Sequence, residues 1–223
     1  MSLIMYYPIN EIFQTIQGEG YYTGTPSIFI RLQGCPVHCT WCDTKYTWQR
    51  SNQDQISYKK IIMKKESDRK WSYINVKEII LIIKTKKWTA KHIVITGGEP
   101  CLYNLLEITQ ELEKKGYKCQ IETSGTELIR CSLKTWITLS PKMNKKVLDT
   151  SIFRSNEIKY PILKEEDLFY LESILKKIKN KKNNFIFLQP ISQNKEALNI
   201  CIKICLIKNW RLSVQIHKYL KIR

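Results

Sequence analysis

The sequence predicts an α/β protein in which βα units build a parallel sheet. Three observations carry this. Short β-rich runs alternate with helical patterns along the chain. Each β-rich run closes on turn chemistry, usually a glycine or a proline. Polar segments follow successive runs, and in a parallel sheet such segments share the C-terminal edge, where α/β proteins build their sites. With 223 residues, 43% of them hydrophobic, the chain can bury one sizeable core, and a single domain over residues 1–223 is expected.

The elements follow in order. "SIFIRLQ", Ser27 to Gln33, is apolar and β-branched, closes at Gly34, and is expected as the first strand. Residues from about 49 to 70 are polar and Lys-rich, and are expected to form an excursion. "NVKEIILIIKTKKW" sets Val76, Ile79, Ile80 and Ile83 on one helical face. "HIVIT" ends in Gly97 and Gly98. "LYNLLEITQELEKKG" groups Leu102, Leu105, Leu106, Thr109 and Leu112, with Gly116 as C-cap. "YKCQIET" closes at Ser124-Gly125 and "TWITLS" at Pro141. The stretch "SPKMNKKVLDTSIFRSN" reads as loop-rich. "NEIKY" is expected to end at Pro161, and "EEDLFYLESILKKIKN" is helical. "FIFLQ" meets Pro190, "NKEALNICIKICLIKN" is helical, and "RLSVQI" is a last strand before His217. The polar segments on the expected rim are "GCPVHCTWCD", "TGGEP", "ETSGT", "SPK", "QPIS" and "QIHKYL".

No apolar run reaches the roughly 18–20 residues that cross a bilayer. The N-terminal stretch lacks the basic, apolar and small-residue succession of a signal peptide. A soluble cytoplasmic protein without a membrane partner is expected. Eight cysteines in a reducing compartment then point to metal or catalytic use for some of them. The formal net charge of +17 invites a nucleic-acid reading. The charge is mostly Lys, however, spread in runs such as "YKKIIMKKESDRK" and "LKKIKNKKNN", with no interleaved aromatics on which bases could stack. No direct nucleic-acid contact is expected.

Cys35, Cys39 and Cys42 stand as C-x3-C-x2-C directly after the Ser27–Gln33 run. A disulfide pairs two thiols and leaves one over, and structural zinc takes four ligands. Three thiolates suit a soft-metal or iron–sulfur centre that keeps one position open. A zinc site that recruits His38 or a distant Cys remains the alternative, although His38 abuts Cys39. Cys201 and Cys205 lie four apart on a helical pattern and read as buried apolar residues.

The cysteine motif, with Trp41 before its last thiol and "TGGEP" after the next strand, resembles the radical S-adenosylmethionine superfamily. Further stretches narrow the resemblance to the 7-carboxy-7-deazaguanine synthase family within it. These are "INEIFQTIQGEGYYTGTPSIFIRLQGCPVHCTWCDTKYTW", "VITGGEPC", "CQIETSGT", "SPK", "LQPIS" and "QIHKYLKIR", and they span essentially the whole chain. The resemblance implies a partial, modified (βα) barrel, usually as a homodimer. It implies a [4Fe-4S] cluster on Cys35, Cys39 and Cys42, whose open iron binds S-adenosylmethionine, and a glycine-rich turn, Gly97, Gly98 and Glu99, facing the methionine amino group. By resemblance Trp41, Cys42, Asp43, Gly98, Ser140, Pro141, Lys142, Gln189, Pro190, Ile191 and Ser192 contact S-adenosylmethionine. Ile16, Gln17, Gly18, Arg31 and Thr96 contact the substrate, and Thr44 is a ligand of Mg2+. The implied reaction converts 6-carboxy-5,6,7,8-tetrahydropterin to 7-carboxy-7-deazaguanine with loss of ammonia, on the route to queuosine, driven by a 5′-deoxyadenosyl radical. Its partners would be the pterin and an electron donor such as flavodoxin or ferredoxin. A glycyl-radical-activating enzyme of the same superfamily and a basic zinc-binding nucleic-acid module are the competing readings.

Overall fold

The computed structural model describes residues 4–65, 67–143, 145–178, 185–191 and 194–222. The chain forms two compact units. The first comprises Met1–Thr15, Pro26–Glu122 and Arg130–Trp136. Its elements are β1 (Tyr6–Ile16), β2 (Pro26–Leu32), a short α1 (Tyr58–Ile62), β3 (Ser72–Asn75), α2 (Val76–Thr85), β4 (His92–Gly97), α3 (Leu106–Lys114) and β5 (Lys118–Thr123). Their strand order is β3-β1-β2-β4-β5, with β1 and β3 antiparallel and β2, β4 and β5 parallel. Ile28, Ile30, Ile93, Val94, Ile95 and Ile121 are fully buried, as expected for central parallel strands covered on both faces. A capping box starts α2: the Asn75 side chain accepts from the Glu78 N–H, and the Glu78 carboxylate accepts from the Asn75 N–H.

The second unit comprises Ile16–Thr25, Thr123–Ile129 and Ile137–Arg223. It carries β6 (Trp136–Leu139), α4 (Asp149–Arg154), β7 (Glu157–Ile162), α5 (Asp167–Lys177), β8 (Phe185–Pro190), α6 (Lys195–Lys208), β9 (Arg211–Leu212) and α7 (Ile216–Leu220). The order β6-β7-β8-β9 is parallel throughout. Leu139, Ile158, Tyr160, Leu171, Ile174 and Leu188 pack with Cys201 and Cys205 in one core. The two cysteines are therefore buried apolar residues, and burial pushes the Cys201 thiol up to about 12. Neither strand order returns on itself. The fold is an α/β fold with a mostly parallel, open sheet, and no barrel closes.

Several elements differ from their sequence expectation. The first strand is β1, ahead of the Ser27–Gln33 run. Its core positions include Asn10 and Glu11, so it lacks the period-2 alternation that marks a half-buried strand. Asn10 is satisfied there by Gln33 at 2.8 Å and by the Asp68 carbonyl at 2.9 Å. The Lys-rich excursion is tied down: Ile61 is buried, and the Lys64 ammonium donates to the Asn10 carbonyl and side chain. β7 continues through Pro161, which pairs with Gln189. Beyond Ile158 β7 has no register with β6, so a missing N–H costs that side nothing. The strand in "RLSVQI" shortens to Arg211–Leu212, and Ile216 N–H turns away to the Gly18 carbonyl. Leu106, at the start of α3, is exposed and Ile80 is only half-buried; Ile108 and Ile82 take the inward positions. Gly116 adopts φ +84° directly after α3, as the C-terminal signal expects.

Candidate active site

The cysteine loop leaves β2 at Gly34, whose φ of +105° only glycine adopts without strain. Its two ends are stitched together: Gly34 N–H donates to the Thr47 carbonyl at 2.7 Å and Cys35 N–H to the Trp48 carbonyl at 2.9 Å. None of the three cysteines is in a disulfide, and each is partly exposed. Two of them already receive backbone donors. Thr44 N–H reaches the Cys42 sulfur at 3.4 Å, and the Cys35 sulfur accepts from the N–H groups of Val37 and His38. Burial pushes the Cys35 thiol up, and these N–H groups oppose it. Cys thiolates hold an iron–sulfur centre, and N–H groups aimed at their sulfurs tune it. The donor set therefore fits a [4Fe-4S] cluster on Cys35, Cys39 and Cys42. Among the described residues no three His, Cys, Asp or Glu side chains gather around one point as ligands of a single ion do. Cluster thiolates bind different irons and have no need to.

The glycine-rich turn after β4 lies directly against this loop. Gly98 N–H donates to the Leu32 carbonyl and Glu99 N–H to the Gly34 carbonyl, each at 2.8 Å. A Cβ built on Gly98 would stand 1.9 Å from the Gly34 oxygen and 3.2 Å from the Cys35 Cβ, so only glycine permits the approach. Gly97, at φ +114°, is the second such position, and a Cβ there would meet the Leu32 backbone and the Arg31 Cγ. The Gly97 carbonyl accepts the Thr44 hydroxyl at 3.2 Å. Arg31 and Thr96 face each other in the β2–β4 register. Arg31, Thr44, Thr96, Gly97, Gly98 and the three thiols are thus gathered in the first unit. Trp41 in the same loop is half-buried, and Asp43 is exposed. Glu99 is buried and accepts from Cys101 N–H, capping a short 3-10 turn.

The remaining sequence-predicted residues lie in the second unit, apart from Ser192, which falls outside the described residues. Gln17 is buried in the turn after β1 and exchanges backbone bonds with Thr25 and Gly24. Ile16 is exposed. A Cβ on Gly18 would collide with the His217 ring. Lys142 donates to Ser140 at 2.7 Å, and Ser140 N–H bonds the Thr123 carbonyl. Gln189 accepts from Ser213 at 3.0 Å, and Pro190 and Ile191 are buried.

Sequence reading missed several charged groups, in each unit taken by itself. Glu19 in "QGEG" pairs with Lys159 at 2.6 Å and accepts from Gln215 at 2.7 Å. Burial alone raises the Glu19 carboxyl, but the Lys159 charge and the bonds from Lys159 and Gln215 bring it down to about 2. Glu157 is fully buried, accepting from Tyr21 N–H at 2.8 Å and from the Thr138 hydroxyl at 2.5 Å. Glu11 accepts from Arg31 at 2.7 Å and from Tyr46 at 2.9 Å. The available signal was a charged residue inside an otherwise apolar run, as in "PINEIF" and "NEIKYPI".

Known proteins match this arrangement. The Radical SAM superfamily matches residues 29–131, from β2 through the cysteine loop and the glycine-rich turn. The 7-carboxy-7-deazaguanine synthase of Buchnera aphidicola subsp. Schizaphis graminum (strain Sg) is 88% identical over 219 residues, covering 98% of this chain and 100% of that one. The 7-carboxy-7-deazaguanine synthase of Escherichia coli (strain K12) is 50% identical over 222 residues, covering 98% and 100%. A solved structure described as the crystal structure of QueE from Escherichia coli superposes with a TM-score of 0.91 at 48% identity, covering 94% of each chain. None of these three is named as a glycyl-radical-activating enzyme or a zinc-binding module. With its thiol loop, its glycine-rich turn and matches along nearly its full length, the chain is an enzyme that belongs to the 7-carboxy-7-deazaguanine synthase family of the radical SAM superfamily.

Proposed function

We propose that the enzyme converts 6-carboxy-5,6,7,8-tetrahydropterin to 7-carboxy-7-deazaguanine with loss of ammonia, on the route to queuosine and related deazapurines. The observation that carries the reading is the packing of the cysteine loop on Gly98, with Arg31 against Gly97 beside it. When bound, the [4Fe-4S] cluster and S-adenosylmethionine supply radical chemistry, and the protein positions the reactants and excludes competing reactions. Cys35, Cys39 and Cys42 hold the cluster. The two glycines let the turn close on β2 and the cysteine loop, and the backbone carbonyls of such a turn can accept from an ammonium group. Arg31 offers a planar fork to the carboxylate of the pterin. Gln17, Gly18, Ser140, Lys142 and Gln189 of the second unit take the family roles of substrate and S-adenosylmethionine contacts.

Mg2+ on the Thr44 hydroxyl belongs to the same reading. One hydroxyl is a weak site, so substrate oxygens and water complete the coordination. A homodimer, a flavodoxin- or ferredoxin-type electron donor and a cytoplasmic setting that keeps the thiols reduced complete it. The test is anaerobic reconstitution with iron and sulfide, then turnover with S-adenosylmethionine and the carboxypterin. A product with the mass of 7-carboxy-7-deazaguanine is expected. A loaded cluster that cleaves S-adenosylmethionine without forming that product would overturn the substrate assignment.

A further inference from the structure

We infer that Glu11 is a positioning residue that aims Arg31 at the substrate carboxylate, with Tyr46 holding Glu11 in place; this rests on the anchoring role proposed for Arg31. A guanidinium carries its donors in one plane, an Nε–H and four Nη–H. Arg31 Nε donates to Glu11 Oε1 at 2.7 Å, and the Tyr46 hydroxyl donates to the same oxygen at 2.9 Å. The guanidinium carbon lies 5.6 Å from the centroid of the Phe13 ring, and the Cγ lies where a Cβ on Gly97 would be 2.8 Å away. The group is therefore held at one nitrogen, on one face and along its stem. Among the described residues its Nη atoms bond no acceptor. Two parallel Nη–H donors in a fixed plane are what a carboxylate needs for a bidentate pair.

The cost of the arrangement points the same way. The Glu11 side chain is 2% exposed and that of Arg31 16%. Burying two charges costs more than it stabilises unless geometry is good, and an apolar pair often serves a core better. The pair is also close to neutral, which weakens the pull of Arg31 on an anion. What Glu11 supplies is orientation. Tyr46 lies in the cysteine loop, so the same oxygen ties the anchor to the loop that carries the three thiols.

The test uses the anaerobically reconstituted enzyme. Glu11→Ala should raise KM for the carboxypterin roughly 10- to 100-fold, the scale of one hydrogen bond to a charged group. The change in kcat should be much smaller, with iron content and S-adenosylmethionine binding retained. Tetrahydropterin lacking the carboxylate should inhibit wild type and Glu11→Ala equally. Glu11→Gln keeps an oxygen for both donors and should recover most of the KM. If the Ala variant fails to fold, Tyr46→Phe removes a single donor and should raise KM by about 3- to 10-fold. Equal weakening of substrate and carboxylate-free analogue, or no recovery with Gln, would overturn the positioning role. Unchanged KM in Arg31→Lys would instead overturn the anchoring reading, whereas a loss there with no effect at Glu11 or Tyr46 overturns the positioning role alone.

Discussion

At Gly98 the distance between two backbones sets what the site can hold. Gly98→Ala places a methyl group 1.9 Å from the Gly34 oxygen, against backbone that has no side chain to yield. Overpacking of this kind costs about 1–3 kcal/mol, and here it pushes the cysteine loop outward. Iron content after reconstitution should fall together with activity. The thiols divide the same way: Cys39→Ala should lose the reducible cluster, whereas Cys201→Ala, in the core of the second unit, should keep it. Full cluster content in the Cys39 variant would sink the assignment. Thr44→Val keeps the shape of the side chain and removes its oxygen. It should lose most of any Mg2+ stimulation of product formation while retaining iron, and turnover unaffected by exhaustive chelation would refute the Mg2+ role. Glu19 supplies a pH dependence. Its carboxyl lies at about 2 against an ordinary 4.5. A depressed carboxyl stabilises the fold fully above its unfolded value, and the contribution fades as pH falls from about 4.5 toward 2. The effect is on the order of 3 kcal/mol. Urea unfolding should show wild type more stable than Glu19→Gln at pH 6, with the difference shrinking below pH 4.5. A difference independent of pH would mean that the Lys159 pair is not its source.

Among elements, α2 and β1 contrast in how they are specified. The start of α2 is local: Asn75 and Glu78 cap each other three residues apart, and Val76, Ile79 and Ile83 form the inward face. Asn75→Ala should lower stability by about 1 kcal/mol in urea unfolding without altering cluster loading. β1 is specified from outside itself. Asn10 and Glu11 would be expensive in the core, but Gln33, Asp68, Arg31 and Tyr46 satisfy them. Those partners lie up to 58 residues away, so an alternation rule applied to β1 alone finds no strand. The Lys-rich excursion follows the same logic, since Lys64 is needed by the Asn10 end of β1.

Across the whole molecule, 37 basic residues face 20 acidic ones, for a formal net charge of +17. Self-repulsion destabilises a compact state, and salt screens it over about 10 Å at 0.1 M. Raising salt from about 20 to about 200 mM should therefore raise the thermal midpoint by a few degrees. A fall would show that ion pairs such as Lys159–Glu19 outweigh the repulsion. No helix among the described residues is long and apolar enough to cross a membrane. The sequence by itself determined the thiol loop, the glycine-rich turn and the succession of βα units. Each is set by spacing within about ten residues, and close spacing along a chain is close spacing in space. Only the tertiary structure decided that β1 exists, that Glu11 meets Arg31 and that Lys159 meets Glu19 across 140 positions. The physical reason is that a buried charge is tolerated only where another element delivers its partner, and which element does so depends on strand adjacency that no local pattern encodes.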